Sequence, residues 1–343
     1  TVDPGQISYS GNLKSGSTTE IDLCYGQRPG VFNTNGELKY QTYAEPGFEW
    51  FTSTDGVNYT SSGITEETYQ PGTLTNTTWV KRLVSSTYTY TINTNVVTIT
   101  CVDSSDEAFY SNAFKINILP QVSKPVLTST VNSEICATDL SPGSIKISNM
   151  VISNDVSYKW FFTNDLVEYF EVRDPLDNTK VFGGETYQLP QLFQETSFKV
   201  IAYVKDNPLC TYESLPFTIR TVNIDPGVIS FSSPTAQDNI IETCNVASSI
   251  TVGSKVNHEI VFSPASTSTF SVTWQTKRKD GVSNFTDVIP SANFRPSGTE
   301  IGIISISESQ YVRKKISVYD NLSNLICEDY TNSVLLEVRL PVI

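Results

Sequence analysis

The sequence predicts an all-β chain built from three antiparallel β-sandwiches, and three observations lead to this prediction. Sequence markers recur with a period of about 110 residues, which is the size of one small domain. The segments between the markers are rich in β-branched and aromatic residues at strand spacing. Turn signals such as Asp-Gly and Pro-Gly follow one another at short intervals, and no long segment has helical periodicity.

The repeat is seen most clearly in the cysteines and tryptophans. Three marker positions keep the same order in each repeat: a first cysteine (Cys24, Cys136, Cys244), a tryptophan (Trp50, Trp160, Trp274) and a second cysteine (Cys101, Cys210, Cys327). The motif Asp3-Pro4-Gly5 also returns as Asp225-Pro226-Gly227. These spacings predict three domains, at residues 1–120, 121–223 and 224–343, called repeats 1, 2 and 3 below.

One strand in each repeat is marked by composition: residues 78–84, 197–204 and 311–318 combine β-branched, aromatic and charged side chains. The Cys–Trp–Cys order in a repeat of this length predicts an immunoglobulin-like sandwich, with the three tryptophans in the cores. The tyrosine that antibody domains carry two residues before the second cysteine is missing, since Ile99, Pro208 and Leu325 stand there. The second cysteine is therefore expected past the penultimate strand, near its hairpin to the last strand.

The six cysteines are isolated, with no Cys-x-x-Cys pair, so zinc ligation is not favoured. The period then predicts one structural disulfide per domain, with the pairs Cys24–Cys101, Cys136–Cys210 and Cys244–Cys327. Disulfides place a protein outside the cytosol.

Composition excludes several classes of function. With 36 acidic and 23 basic residues the net charge is −13, which argues against nucleic acid as a partner. No apolar run is long enough for a transmembrane helix. The only histidine, His258, leaves little scope for acid–base catalysis, so neither enzyme activity nor a cofactor nor a metal centre is predicted.

Two features of repeat 1 leave alternatives open. Asp103, Asp106 and Glu107 follow Cys101 and could form either a solvated acidic face or a set of oxygen ligands for calcium. The segment between the strand marked by composition and the second cysteine is also longer in repeat 1 than in repeats 2 and 3, which predicts a projecting β-hairpin. It would be a neutral length variation or a contact surface formed by Tyr88, Tyr90, Ile92, Val96, Val97 and Ile99.

Repeat 1 carries the motifs of a known family: Pro4-Gly5, Cys24-Tyr25-Gly26, Trp50, Asp55-Gly56, Thr68-Tyr69-Gln70-Pro71, Leu74-Thr75-Asn76-Thr77-Thr78, Arg82 and Ser111-Asn112. They resemble the Ig-like repeats of very large Bacteroidota surface proteins, including gliding-motility adhesins exported by the type IX secretion system. Repeats 2 and 3 keep the Cys–Trp–Cys frame with looser motifs.

The resemblance implies a secreted or surface-anchored segment of a longer chain, anchored at the outer membrane through regions outside this segment. Its partners would be further repeats of the same chain, surface glycans, the substratum or outer-membrane machinery proteins. The expected function is a non-enzymatic stalk and adhesive surface. Two alternatives stay open: a specific carbohydrate- or protein-binding module, and an accessory region of a secreted multidomain enzyme.

Overall fold

The computed structural model describes residues 3–36, 44–102, 106–205, 207–232, 240–244, 250–262, 267–291, 294–304 and 306–339. The described residues form β-strands and one short 3₁₀ helix, and the predicted all-β class with immunoglobulin-like sandwiches is confirmed. The chain forms two compact units. Unit 1 contains residues 1–125, 149–159 and 200–214, and unit 2 contains residues 126–148, 160–199 and 215–343. Repeat 2 contributes residues to both units.

Repeat 1 lies in unit 1 and forms two sheets. Its strands are β1 (Gln6–Tyr9), β2 (Glu20–Leu23), β3 (Phe32–Asn35), β4 (Glu45–Ser53), β5 (Thr60–Ser61), β6 (Thr78–Ile92), β7 (Asn95–Cys101) and β8 (Phe114–Ile118), with a 3₁₀ helix at Glu107–Phe109. The larger sheet has the order β2-β8-β6-β4-β5, with β7 paired to the distal part of β6, and β1 pairs with β3. The predicted strand at 78–84 is thus the first half of β6.

Repeat 2 supplies nine strands. They are β9 (Leu127–Ser129), β10 (Glu134–Cys136), β11 (Ser144–Ile147), β12 (Val156–Thr163), β13 (Phe170–Glu171), β14 (Thr186–Gln188), β15 (Thr196–Val204), β16 (Asn207–Glu213) and β17 (Phe217–Asp225). Within unit 2, β9, β11 and β14 form one sheet, β10 runs parallel to β17, and β17 pairs with the first residues of β15. Within unit 1, the last residues of β15 pair with β16.

Repeat 3 lies in unit 2 and repeats the plan of repeat 1. Its strands are β18 (Val228–Phe231), β19 (Ile240–Cys244), β20 (Ile250–Val256), β21 (Glu259–Phe262), β22 (Thr269–Arg278), β23 (Thr286–Asp287), β24 (Phe294–Pro296), β25 (Glu300–Ile303), β26 (Gln310–Tyr319), β27 (Leu325–Tyr330) and β28 (Val334–Arg339). One sheet has the order β18-β20-β25-β24, and the other β19-β28-β26-β22-β23 with β27 beside β26.

Each sandwich buries the side chains that point inward from its two sheets. In repeat 1, Trp50 packs with Ile7, Phe32, Val80 and Phe114. In repeat 3, Trp274 packs with a matching cluster from both sheets, which includes Ile229, Ile301, Val312 and Leu336. Alternate residues of a strand face opposite sides of its sheet. The charged residues of the predicted strands are nevertheless not all exposed, since Arg82 and Lys314 are fully buried.

The Asp-Pro-Gly motif is a turn that opens repeats 1 and 3. The side chain of Asp3 accepts a hydrogen bond from the Gly5 backbone at 3.0 Å, and Asp225 does the same for Gly227 at 2.9 Å. Gly227 has a φ of +71°, and a Cβ there would lie 2.3 Å from the backbone oxygen of Val256. Glycine is required at this position by both its backbone conformation and the lack of space.

Candidate functional site

The three tryptophans occupy the same position in the three repeats. Trp50, Trp160 and Trp274 are at most 1% exposed. Each indole Nε1 donates a 2.8 Å hydrogen bond to a backbone carbonyl, of Glu66, Gly184 and Ser297 respectively. Their shared role is structural, because each ring fills a core and its one polar atom has a partner.

The strand that contains each tryptophan is followed by an Asp-containing turn. Asp55, Asp165 and Asp280 each accept backbone N–H bonds from residues two and three further on. Hydrogen bonds from Thr163 and the backbone lower the pKa of Asp165 to about 2, and bonds from Ser283 and the backbone lower that of Asp280 to about 2. In repeats 1 and 2 the motif Trp-x-x-Ser/Thr-x-Asp specifies this turn, and repeat 3 forms it with an Asp six residues after Trp274. All three carboxylates are committed to their turns.

The disulfides differ from the predicted pairs. The structure contains Cys24–Cys210, with Cα atoms 5.6 Å apart, and Cys136–Cys327, with Cα atoms 5.1 Å apart. Cys101 is exposed and has a free thiol. The predictions Cys24–Cys101, Cys136–Cys210 and Cys244–Cys327 are therefore wrong, and each observed bond joins one repeat to the next. The side chain of Cys244 lies outside the described residues.

Strand register explains why the two cysteines of repeat 1 cannot pair. Leu23, the residue before Cys24, pairs with Ile118 on β8. Ile116, which is two residues before Ile118 on the same strand, pairs with Thr78 at the start of β6. Cys101 is instead opposite Ser86, far along β6. The levels of Cys24 and Cys101 along β6 thus differ by about ten strand positions, or roughly 33 Å at 3.3 Å per residue. A disulfide needs Cα atoms within about 7 Å.

A common reference point shows that the second cysteines are equivalent. In each repeat a Ser or Thr hydroxyl accepts a hydrogen bond from a backbone N–H of the longest strand, which is β6, β15 or β26. The pairs of acceptor and donor are Ser111 and Arg82, Ser214 and Val200, and Thr331 and Lys314. Four residues further along that strand lie Ser86, Val204 and Val318. Cys101 and Cys327 are opposite Ser86 and Val318, and Cys210 lies in the bulge beside Val204.

The first cysteines are equivalent by the same test. The residues just before them, Leu23, Ile135 and Thr243, pair with Ile118, Thr221 and Val338. Each of these partners stands seven residues after the reference Ser or Thr. The two observed bonds therefore follow one rule: the first cysteine of a repeat bonds to the second cysteine of the repeat that follows.

The junction between repeats 2 and 3 is packed and hydrogen-bonded within unit 2. The end of β17 pairs with β21, from Val222 opposite Phe262 to Asp225 opposite Glu259. Beside this ladder, Val222 of repeat 2 forms a buried cluster with Ile224, Ile316, Val318 and Cys327 of repeat 3. Residues 223–225, at the boundary between repeats 2 and 3, are therefore part of a strand that is hydrogen-bonded to repeat 3.

The corresponding junction in unit 1 contains a cleft. A cavity of about 500 Å³ lies beside Cys24 and is lined on one side by residues of repeat 1, such as Tyr9 and Asp22, and on the other by Asn207 and Leu209 of repeat 2. The Asn207 amide donates a 3.4 Å hydrogen bond to Asp22. Cys24 and Cys210 are both buried here.

The predicted contact hairpin forms from β6 and β7. Ser86–Ile92 pairs with Asn95–Cys101, and the turn residues Asn93 and Thr94 have φ angles of 48° and 74°. Two positive φ angles in a two-residue loop are typical of a tight hairpin turn. Of the predicted contact residues, Tyr88, Ile92, Val96 and Ile99 are exposed, while Tyr90 and Val97 are half-buried. Tyr88 and Tyr90 stack with ring centroids 5.5 Å apart.

The acidic residues after Cys101 have separate roles where the structure describes them. Asp103 lies outside the described residues. Asp106 caps the 3₁₀ helix by accepting from the Ala108 N–H at 2.9 Å. Glu107 forms an ion pair with Lys81 at 2.8 Å, and the Lys81 ammonium also lies 3.8 Å from the centre of the Tyr110 ring. Among the described residues, no cluster of three or more His, Cys, Asp and Glu side chains could hold a metal ion.

Two buried cations occupy equivalent positions in repeats 1 and 3. Arg82 donates hydrogen bonds to the Thr34 hydroxyl and to the backbone oxygens of Glu67 and Pro4, and burial lowers its pKa to about 10. Lys314 donates to the Ser254 hydroxyl at 2.9 Å, and burial lowers its pKa as well.

His258, the only histidine, lies beside Lys314. Its Nδ1 is 3.5 Å from the Lys314 Nζ, and its ring packs against Phe270. Burial first, and the Lys314 charge second, lower the pKa of His258. The histidine is therefore part of a packed polar cluster, without a described carboxylate partner that would orient it as a catalytic base.

The repeats define an immunoglobulin-like β-sandwich protein in which disulfides join consecutive repeats. A family model described as "Domain of unknown function (DUF8696)" matches residues 14–103. No curated protein matches the sequence. No helix of the described residues is long and apolar enough to cross a membrane.

Solved structures provide distant likenesses. The chain is similar to the chicken CNTN1 FN1-FN3 domains, with 11% identity, 98% of this chain and 100% of that chain covered, and a TM-score of 0.25. It is also similar to the N-terminal four Ig domains of Dscam1 isoform 6.9, with 11% identity, coverage of 99% and 79%, and a TM-score of 0.25. For isoform 6.44 the identity is 9%, the coverage 98% and 78%, and the TM-score 0.23.

Proposed function

We propose that this chain is a non-enzymatic segment of a repetitive secreted or surface-anchored protein, in which three Ig-like repeats act as a disulfide-stapled stalk. The observation that carries the proposal is that both disulfides cross a repeat boundary. A disulfide inside a domain stabilises that domain, whereas a disulfide between domains also limits how far the domains can separate. Such bonds persist in oxidising compartments, which supports an extracellular location.

The junction contacts support the same function. The pairing of β17 with β21 replaces a flexible linker with a hydrogen-bonded ladder, and the cluster around Cys327 buries apolar side chains from both sides of the boundary. Separating the repeats would expose this apolar surface to water, at a cost of about 25 cal/mol per Å². The junction therefore favours a stalk that transmits load over a string of independent beads.

The adhesive part of the proposal rests on the β6–β7 hairpin. Four large apolar side chains are exposed on it, and Val96 at its tip is 70% exposed. Exposed apolar and aromatic groups on a strand pair provide a surface that a protein partner or a sugar ring can cover. Partners of this kind would be surface glycans, the substratum or outer-membrane proteins, as in gliding-motility adhesins exported by the type IX system.

Surface labelling tests the proposal on cells that produce the protein. Antibody fragments raised against the 343-residue chain should stain intact cells, and fragments that cover the hairpin should reduce attachment to glass. Fragments directed at a site on repeat 3 provide the control, because they should stain without reducing attachment. Staining that needs permeabilised cells would contradict the proposed location, and unchanged attachment would contradict the adhesive role.

A specific binding module is the second candidate, and the same hairpin is the observation that favours it. A glycan array probed with the oxidised chain separates the two functions. Binding to a defined glycan that is lost in Tyr88→Ser would support the binding module, and an array without signal would leave the stalk as the better description.

A further inference from the structure

The outer face of the larger sheet of repeat 3 carries a cationic pocket. Trp274 points into the core from β22, so its neighbour Gln275 and the alternate residue Lys277 face the other side. On β26, Arg313 is opposite Gln275 and Tyr311 is opposite Lys277, so these four side chains share the outer face. A cavity of about 450 Å³ lies there, and its lining consists of Lys277, Lys279, Gly281, Phe285, Tyr311 and Ser333.

Positive charge exceeds negative charge around this pocket. Lys279 forms an ion pair with Glu337 at 2.8 Å. Lys277 has no carboxylate partner among the described residues, and its ammonium lies 5.9 Å from the centre of the Phe285 ring. Arg313 stacks on the same ring at 3.9 Å, and its Nε donates to an amide oxygen instead of a carboxylate. Two cations therefore remain beside Phe285 in a chain whose net charge is −13.

Repeats 1 and 2 show that the fold does not require a lysine at this position. The third residue after the tryptophan is Ser53 in repeat 1 and Thr163 in repeat 2, and each hydroxyl donates to the Asp of the following turn. In repeat 3 the same position is Lys277, and the turn is closed instead by Ser283, which donates to Asp280. The turn thus forms without help from Lys277, which leaves the ammonium free for another role.

We propose that this pocket binds the acidic sugar units of a polysaccharide. Lysine ammonium groups form charge-assisted hydrogen bonds with carboxylate and sulfate oxygens, which is the role of Lys277 and Lys279. The half-buried Phe285 provides an aromatic face against which the apolar side of a sugar ring packs. Tyr311 and Ser333 add hydroxyl groups to the lining, and these exchange hydrogen bonds with sugar hydroxyls.

An acidic sugar fits the pocket better than a neutral glycan or an acidic peptide. The excess of positive charge favours an anion over a neutral sugar, and the aromatic ring between hydroxyl groups favours a sugar ring over an extended acidic peptide. The pocket lies on repeat 3 and does not depend on the hairpin of repeat 1. Bare glass carries no sugar, so attachment to glass tests the hairpin and leaves this site untouched.

Binding of the oxidised 343-residue chain to polymers that differ only in charge tests the proposal. Polygalacturonate is compared with its methyl ester, and dextran sulfate with dextran. The chain should bind at least one charged polymer about tenfold more tightly than the uncharged counterpart, and added salt should weaken this binding. The polymer that binds identifies carboxylate or sulfate as the recognised group. No preference for either charged polymer, or equal binding to poly-glutamate, would overturn the proposal.

Two matched variants separate the pocket from the total charge of the chain. Lys277→Gln should weaken binding of the charged polymer about fivefold, since one ion contact is lost. Lys255→Gln removes the same charge from an exposed lysine on β20, in the other sheet of repeat 3, and should bind like the wild type. Thermal unfolding of both variants checks that they remain folded. Equal losses of affinity would show that only total charge matters, and would overturn the proposal.

A third variant tests the aromatic face. Phe285→Leu keeps an apolar side chain beside the lysines but removes the ring, so the charged polymer should bind more weakly while the preference for charged over uncharged polymer remains. Unchanged affinity in a folded Phe285→Leu chain would contradict packing of a sugar ring on this residue.

Discussion

The two disulfides overlap along the sequence, because Cys136 lies between Cys24 and Cys210. Pulling the oxidised chain from its two ends tests this arrangement. The shortest covalent path from Cys24 to Cys327 crosses the first bond to Cys210, returns along the chain to Cys136 and crosses the second bond. That path contains 74 residues (210 − 136), or about 250 Å at roughly 3.4 Å per residue. In the reduced chain the path contains 303 residues (327 − 24), or about 1,030 Å.

Single-molecule force spectroscopy should therefore show full unfolding of the reduced chain to a contour about 780 Å longer than that of the oxidised chain. Single substitutions identify the bonds. Cys210→Ser opens the first bond, so the path becomes 112 residues (136 − 24) and the contour grows by about 130 Å.

Cys101→Ser is the control, and its contour should equal that of the wild type because Cys101 takes part in neither bond. If Cys24 were instead bonded to Cys101, the same substitution would release 77 residues (101 − 24), or about 260 Å. An increase of that size would refute the register argument.

Three further predictions concern stability, measured by thermal and urea unfolding of the oxidised chain. Gly227→Ala should destabilise the chain more than Gly281→Ala. Both glycines have a φ near +70° or above, so a conformational strain of about 1 kcal/mol is common to both variants, but only at Gly227 would the new Cβ meet a backbone oxygen. Equal losses of stability would contradict this. Trp50→Phe should cost about 1–3 kcal/mol beyond the loss in Trp79→Phe, because Trp50 is fully buried and donates to the Glu66 carbonyl whereas Trp79 is only half-buried, and similar losses would contradict the core role of Trp50. Burial lowers the pKa of Lys314, so the folded state holds its proton less tightly, and stability should rise with pH as pH approaches the ordinary lysine value of 10.5. The gap between wild type and Lys314→Met should accordingly shift in favour of the wild type between pH 7 and pH 10, and a constant gap would contradict this.

Much of the fold follows from local sequence patterns. The long strands β6, β15 and β26 contain the segments predicted from composition, and the Trp position in each repeat is marked by the sequence around it. These features depend on side chains near one another in the chain, so periodicity and turn chemistry are enough to predict them. The three domain boundaries drawn from the repeat remain a prediction.

The disulfide pairing could not be read from the same patterns. A period shows that Cys24 and Cys136 are equivalent, but it does not show which repeat supplies the partner of either. The deciding quantity is the register of β8 and β7 on β6, which places Cys24 and Cys101 at opposite ends of the sandwich. One signal pointed that way: the residue two before each second cysteine is not the tyrosine of antibody domains, so those cysteines do not lie on the strand that antibodies use.

The bonds between consecutive repeats also have a consequence for the oxidation of the cysteines while the chain is being made. Synthesis begins at the N-terminus, so Cys24 and Cys101 are both present before Cys210 is made. An oxidant that joined these two consecutive cysteines would form a bond that the folded repeat cannot accommodate. Folding of repeat 1 removes this hazard, because it separates those two thiols by roughly 33 Å. A folded repeat 1 therefore cannot form the Cys24–Cys101 bond, and the register of its sheet leaves Cys24 available for Cys210.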